Sequence, residues 1–313
     1  MTRARIARLA LLAVFVCLLA SHAALAGAVI LDLRSDPEGS TASNPVLIVE
    51  GPGASAVDFE EGAAPAFSSD RHGALRATYD AAHPSTRAVA TLGELYTEQD
   101  DFIFGAVLTL RSETFHADPF GFHPITLSLV NQATTGFNRT GNFTDFRSDT
   151  FDTVEVAYFP QVSPLFGGPF LSPSVFGEAA GDDAFANFAF GSSQFEIPLD
   201  SPVAIVAEHL AAERKLVVTV HSIGADGKPV EIPGAHTEAS LAFLSGFTVN
   251  GLAITAYEDG FNIFAPSGLS VHAEADYERL LFVPGRLGAP GSDLSLAMLL
   301  RVAGEGARGL RAR

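Results

Sequence analysis

Residues 203–227 read VAIVAEHLAAERKLVVTVHSIGADG. Val203, Ile205 and Ala207 alternate with Ala204, Val206 and Glu208. His209 to Lys215 then supply a short polar turn, after which Leu216, Val218 and Val220 alternate with Val217, Thr219 and His221. A period of two puts alternate residues on opposite faces of a strand. Asp226-Gly227 is a pair suited to positive φ and marks the next turn. The stretch predicts two long antiparallel strands joined by a tight polar connection, in the middle of the chain.

Runs of the same kind recur on both sides, separated by Gly, Pro, Asn and Asp: Val46–Val49, Leu75–Tyr79, Ala88–Leu92, Phe102–Leu110, Ile125–Val130 and Thr153–Phe159 before the hairpin, with Phe185–Phe190 leading into it. Thr248–Tyr257, Leu269–Ala275 and Leu280–Val283 follow it. Strands in this number without intervening helices predict an all-β fold of two antiparallel sheets packed as a β-sandwich, not βαβ units. Phe102–Leu110 is nearly all apolar, which predicts a central strand covered on both faces. Glu238–Leu244 reads as a short helix. Pro160–Asp183, rich in Pro, Gly, Ser and Phe, reads as a long connection that covers a core edge.

The two ends of the chain break with this pattern. Arg3, Arg5 and Arg8 precede the apolar Leu9–Ala20, and Ala24-Leu25-Ala26 offers a cleavage site, so residues 1–26 read as a signal peptide and the protein as secreted or extracytoplasmic, in the periplasm or on the cell surface. Cleavage removes Cys17, the single cysteine, and with it disulfides, thiolate nucleophiles and cysteine-held metals. No membrane span is then expected. The sandwich is expected over residues 27–284. Residues 285–313 read as a basic, flexible or helical tail outside it: Gly and Pro first, then the apolar Leu294–Val302, then arginines. On this division the tail is dispensable for folding.

The whole chain carries a net charge of −17. The sandwich holds most of it, with 34 acidic against 11 basic residues between Gly27 and Pro284. Such a body repels phosphate backbones, which argues against nucleic acid and favours cations. There is no Trp among 25 Phe and 5 Tyr, so the usual flat platforms for sugar rings are scarce, and the phenylalanines fall inside alternating runs that read as core.

The densest polar stretch is Asn138–Pro160, NRTGNFTDFRSDTFDTVEVAYFP. Hard cations such as calcium take several oxygens from one flexible loop and nearby carboxylates. Asp145, Asp149, Asp152 and Glu155 are the candidate metal ligands, with Asn138, Asn142 and Tyr158 as candidate ligand contacts. Parity sets a condition on this site. Asp152 and Glu155 are three apart and face opposite sides of a regular strand, so both serve one site only if Asp152 lies in the loop. His116, Asp118 and His123 form a second, looser set around a Pro-Phe-Gly turn that suits zinc or iron. No G-x-S-x-G elbow is present.

The long hairpin inside a β chain resembles the meander of concanavalin A-like lectin and glucanase jelly rolls, over about Val57 to Val283. Val154-Glu155-Val156-Ala157 resembles the metal strand of legume-type lectins, in which a glutamate is followed two positions later by an aspartate. Glu155 matches the glutamate and Ala157 replaces the aspartate. Asp152 and Glu155 also resemble the last two acids of the E-x-D-x-x-E signature of laminarinase-type glycosidases, with Thr150 in place of the nucleophile. The resemblance implies a jelly-roll sandwich with a glycan or cell-surface polymer as ligand, calcium as cofactor, and a role in recognition or surface structure without catalysis. Two alternatives stay open: a glycan-processing enzyme of the same fold, or an assembly subunit joined through strand edges.

Overall fold

A computed structural model describes residues 28–33, 47–52, 67–69, 74–80, 85–114, 125–138, 147–160, 168–224, 228–257 and 272–287. In chain order the strands are β1 (Val29–Asp32), β2 (Ile48–Glu50), β3 (Phe67–Ser69), β4 (Leu75–Asp80), β5 (Thr86–Thr97), β6 (Phe102–Thr114), β7 (Ile125–Val130) and β8 (Thr153–Phe159). They continue as β9 (Phe170–Phe176), β10 (Phe188–Phe190), β11 (Ser193–Gln194), β12 (Pro202–Leu210), β13 (Lys215–Ile223), β14 (Pro229–Ser240), β15 (Thr248–Ala256) and β16 (His272–Pro284). The first sheet runs β14-β13-β12-β6-β16-β4-β3, with β1 also on β16; the second runs β10-β9-β8-β7-β15-β5-β2, with β11 on β9. Among the described residues the strands of both sheets pair antiparallel, and the two sheets make the expected β-sandwich. Among the described residues no helix is long and apolar enough to cross a membrane.

The period-2 pattern does the work of assembly. Val203, Ile205 and Ala207 of β12 and Leu216, Val218 and Val220 of β13 face the second sheet and join one core with Phe102, Phe104, Leu108, Leu127, Val156, Leu252 and Phe282. Burial of this apolar surface, at about 25 cal/mol per Å², is the main stabilising term. His209 lies among the rings, 4.7 Å from Phe102 and stacked on it, with Nδ1 donating to the Asp100 carbonyl at 2.7 Å. The Tyr79 and Tyr277 hydroxyls meet at 2.6 Å, so each buried phenol has a partner. The expectation for Phe102–Leu110 holds: β6 lies between β12 and β16, and all nine residues are buried on both faces.

Several local expectations give way to tertiary pairing. Glu238–Leu244 is not helical: Glu238, Ala239 and Ser240 complete the ladder to β13, and a turn follows in which Leu244 N–H reaches the Leu241 carbonyl. The available ladder on β13 outweighs a weak helical spacing. The Pro160–Asp183 connection contains β9, complete with Pro173. That proline is tolerated because its carbonyl accepts from Gly191 N–H, on the side where the partner strand breaks between β10 and β11. The ring therefore costs no bond to β8. Phe185–Phe190 is a strand only in its second half; Ala184–Asn187 is a single 3-10 turn capped by Asp183. His272–Ala275, the described part of the Leu269–Ala275 run, and Leu280–Val283 fall on one strand, β16, in which irregularities between Glu274 and Ala275 and between Tyr277 and Arg279 shift the register. Each extra residue reverses the in-out order, so the sequence reads as two runs.

Candidate functional site on the outer face of the second sheet

The outer face of the second sheet carries the residues of opposite parity to the core. Their register is fixed by the ladders. One row runs across the sheet from Ile48 through Val89, Ala253, Ser128, Glu155 and Ser174 to Phe190. Glu155 thus stands directly between Ser128 and Ser174. The next row places Thr255, Thr126, Ala157 and Ser172 side by side. Small hydroxyl residues fill the middle of a face that is otherwise poor in bulk. Thr126 Oγ1 donates to the Thr255 carbonyl, and Ser172 Oγ donates to the Gly191 carbonyl at 2.8 Å and meets Ser174 Oγ at 3.2 Å. Thr126, Ser128, Glu155, Ser172 and Ser174 are all buried.

Phenylalanines bound this hydroxyl strip at both ends. Phe159 and Phe170 stack at 4.5 Å on one side, while Phe176 and Phe188 stack at 4.5 Å on the other, with Phe190 parallel to Phe188 at 5.3 Å. Phe190 is 63% exposed, so the aromatic ladder ends in an open ring on the β10 edge. On the far side of the sheet Arg87 is buried, donates to Glu50 Oε1 at 2.6 Å and to the Thr135 carbonyl at 3.1 Å, and lies over the Phe137 ring. The connection leaving β7 therefore folds back against the outer face of β5.

The expected site residues divide. Asp152 does lie in the loop, with φ of 52°, one residue before β8. Its carboxylate is engaged at both oxygens: Oδ2 accepts from Thr134 Oγ1 at 2.7 Å and Oδ1 from Thr248 N–H at 2.9 Å. It ties the start of β8 to the start of β15. Asp149 is exposed and its Oδ1 accepts from Asn138 N–H at 2.7 Å, closing the loop on itself. Asn138 also donates through Nδ2 to the Arg147 carbonyl at 3.3 Å. Glu155 is on the outer face, apart from both aspartates. Tyr158, expected as a ligand contact, faces inward instead: it is buried in the inter-sheet core and its hydroxyl accepts from Ile197 N–H at 3.1 Å. Its position in β8, three residues from Glu155, sends it to the opposite face. Asn142 and Asp145 lie outside the described residues, as do His116, Asp118 and His123.

Among the described residues no group of three His, Cys, Asp or Glu side chains converges to hold a metal. Asp149, Asp152 and Glu155 therefore do not fit a shared calcium site, because two of them serve the turn and the third faces away from it. A second carboxylate on the outer face is Glu50, four strands from β8. At about 4.8 Å per strand that is about 19 Å. Retaining glycoside hydrolysis needs two carboxyl groups about 5–5.5 Å apart. What the strip can do is accept and donate hydrogen bonds beside an aromatic face. Sequence reasoning missed Ser128, Ser172, Ser174 and Phe190. The signal was present in the alternation of β7 and β9, but which strands would lie beside β8 was not.

No protein-family model matches the chain, and no curated protein matches it by sequence. Solved structures do. Peanut lectin, solved with a nine-residue peptide, is 11% identical, with 82% of this chain and 97% of that chain covered and a TM-score of 0.44. Lectin I from Ulex europaeus, in complex with the methyl glycoside of α-L-fucose, is 12% identical over 82% of this chain and 98% of that chain, with a TM-score of 0.45. The carbohydrate recognition domain of Emp47p is 12% identical over 82% and 96%, with a TM-score of 0.42. These are lectins of the concanavalin A-like jelly-roll type, the resemblance expected from the sequence, and the likeness is one of fold alone.

Proposed function

We propose that this protein is an exported, non-enzymatic recognition protein that binds a glycan or cell-surface polymer along the β8–β10 side of the second sheet's outer face. The observation that carries the reading is the open Phe190 ring, 63% exposed on the β10 edge and stacked on Phe188. A sugar presents hydroxyl groups on its edge and an apolar C–H face. The open aromatic ring matches the second, while Ser128, Glu155 and Ser174 of the same row are buried behind it. The acidic surface favours neutral or cationic polymers over anionic ones. The distance from Glu155 to Glu50 supports binding over hydrolysis. Calcium, if it takes part, acts through residues other than Asp152, both of whose carboxylate oxygens are already used within the fold.

A glycan array run with and without calcium tests this directly, with wild type beside Phe185→Ala and Phe190→Ala, the two exposed rings of the cluster. The expected result is binding by wild type and a loss of tenfold or more in each variant, with the melting temperature held. Absence of glycan binding by the wild type, or equal binding by both variants, overturns the reading. Loss of binding on calcium removal would show that a cation takes part.

A further inference from the structure

One end of the sandwich carries a ring fully open to solvent. The connection from β14 to β15 begins with a turn in which Leu244 N–H reaches the Leu241 carbonyl at 3.1 Å. Leu241, Leu244 and Phe247 of this connection are buried in the inter-sheet core. Phe243 is 102% exposed, more than any other large hydrophobic side chain among the described residues. Single exposed hydrophobics are common on protein surfaces. What sets this one apart is how firmly its backbone is held and what it is held to.

Leu241 N–H donates to the Arg214 carbonyl at 2.8 Å, and the Arg214 guanidinium donates to the Leu244 carbonyl at 2.6 Å, so the turn between β12 and β13 grips the connection from one side. Asn187 grips it from the other. Its buried side chain donates to the Ser245 carbonyl at 2.7 Å, accepts from Ser245 N–H at 2.9 Å and donates to the Glu178 carbonyl at 3.0 Å. Glu178 N–H closes the set on the Gly246 carbonyl at 2.8 Å. Gly177 is required beneath this staple, because a Cβ there would collide with Asn187 Nδ2 and with the Ser245 and Gly246 carbonyls. A ring whose backbone is already fixed gives up little freedom on binding beyond its own rotamers.

The same staple ties Phe243 to the rings at the β10 edge. Asn187 ends the 3-10 turn that carries Phe185, itself 39% exposed, and precedes Phe188, against which Phe185 and Phe190 pack at 5.5 and 5.3 Å. Phe185 lies two residues before Asn187 and Phe243 two residues before Ser245. Their backbones therefore stand at most about 20 Å apart. Glu178, Asp182 and Ser245 are exposed on the same two connections, so the open rings stand separately among hydrogen-bonding groups. Separate rings among acceptors suit a chain of sugars, in which C–H faces stack on rings and hydroxyls donate between them. A protein partner would call for a continuous apolar centre, and the acidic groups repel an anionic membrane. We infer that Phe243 is a further stacking residue, and that the ligand is an extended neutral polysaccharide bound over several units from Phe190 and Phe185 to Phe243. This rests on the reading of the β10 edge as a glycan site and adds length to it: one sugar covers one ring, and only a chain reaches the next.

The test uses the purified protein and end-labelled ladders of β-1,4-glucan, β-1,3-glucan, β-1,4-mannan and chitin oligosaccharides, from the disaccharide upward, read by fluorescence anisotropy. Wild type should bind the longest members of at least one ladder about tenfold or more tightly than the disaccharide. Phe243→Ala should bind the disaccharide as wild type does and lose about fivefold on the longest members, while Phe243→Tyr, which keeps the ring, should retain them. Phe190→Ala should weaken every length. The Phe243 ring is fully exposed, so both of its variants should melt with wild type. Affinity that does not change with length, or Phe243→Ala matching wild type on the longest members, overturns the inference and leaves the reading of the β10 edge standing. Absence of binding by wild type to every ladder overturns both. Binding of wild type but not Phe243→Ala to phosphatidylcholine vesicles assigns the ring to a membrane, and a dimer that Phe243→Ala dissociates in sedimentation assigns it to a second copy; either result overturns the inference.

Discussion

The two sheets bury their outer faces with opposite chemistry. On the first sheet the middle of the face is Ile103, Val107, Val206, Leu281 and Val283, and its charges are set toward the ends, with Glu208 at one and, at the other, Asp276, which accepts from Arg76 Nε and Arg111 Nε at 2.7 Å each. On the second the middle is Thr126, Ser128, Glu155, Ser172 and Ser174, with the bulk pushed out to phenylalanines at the ends. An apolar face is stabilised by any well-packed cover, since the gain follows area and is not directional. A face of hydroxyls and a carboxylate gains nothing from burial itself and needs matched partners. The first arrangement suits any close-packed apolar cover. The second is what a protein retains where specific polar contacts are wanted.

The largest expected effect is on the apolar face. Val206→Asp should cost about 4 kcal/mol or more, because it buries a charge without a partner. Urea denaturation measures it, and a cost under about 1 kcal/mol would show that this face is wet. Asp276→Ala comes next, at about 2 kcal/mol. It strands two guanidinium groups that solvent already reaches in part, which limits the loss. Asp152→Ala should cost about 1–2 kcal/mol, by leaving Thr248 N–H and Thr134 Oγ1 without their acceptor, and should do so with or without calcium. A calcium-dependent cost would return Asp152 to a metal site. Ser128→Ala should have the smallest effect, within about 1 kcal/mol, since its closest hydroxyl contact, with Thr255, is 3.5 Å long.

Acid should destabilise the fold in two stages. Burial lowers the pKa of His209 below the ordinary histidine value of 6.5, against the pull of the Asp100 carbonyl and nearby carboxylates. The unfolded chain therefore binds the proton more readily. The stability held by neutral His209 is complete above about pH 6.5 and declines as pH falls below that value toward the folded pKa. Asp276 acts lower. Burial alone would raise its carboxyl, but hydrogen bonds and charge from Arg76 and Arg111 outweigh it and hold the carboxyl below the ordinary aspartate value of 3.8. Its contribution is present above that value and is lost as pH drops through the folded pKa. Melting temperatures between pH 4 and 8 should follow the first stage, and His209→Gln should flatten it.

Much of the fold was legible because strand alternation is local. Val203–Ser222, Ile125–Val130 and Thr153–Phe159 read as strands on period alone, and Phe102–Leu110 read as central because it had no polar face to give to water. The candidate site was legible only in part. The density of Asn138–Glu155 was visible, but density does not distinguish a ligand shell from a turn that uses its own oxygens. Asp149 and Asp152 turned out to bind backbone and threonine donors across the turn.

The sequence by itself determined that this chain would make antiparallel strands, which residues of each strand share a face, and that its body would be acidic. Each of these follows from neighbours two or three positions apart, or from simple composition. Tertiary structure alone decided which faces meet. It placed Ser128 and Ser174 on either side of Glu155, though they come from strands 27 and 19 residues away along the chain. It sent Tyr158 inward, let Pro173 into a strand at the gap between two partners, and ran β16 through two register shifts that hid it as two runs. Strand order and register depend on contacts between residues distant in sequence, and no local period encodes them.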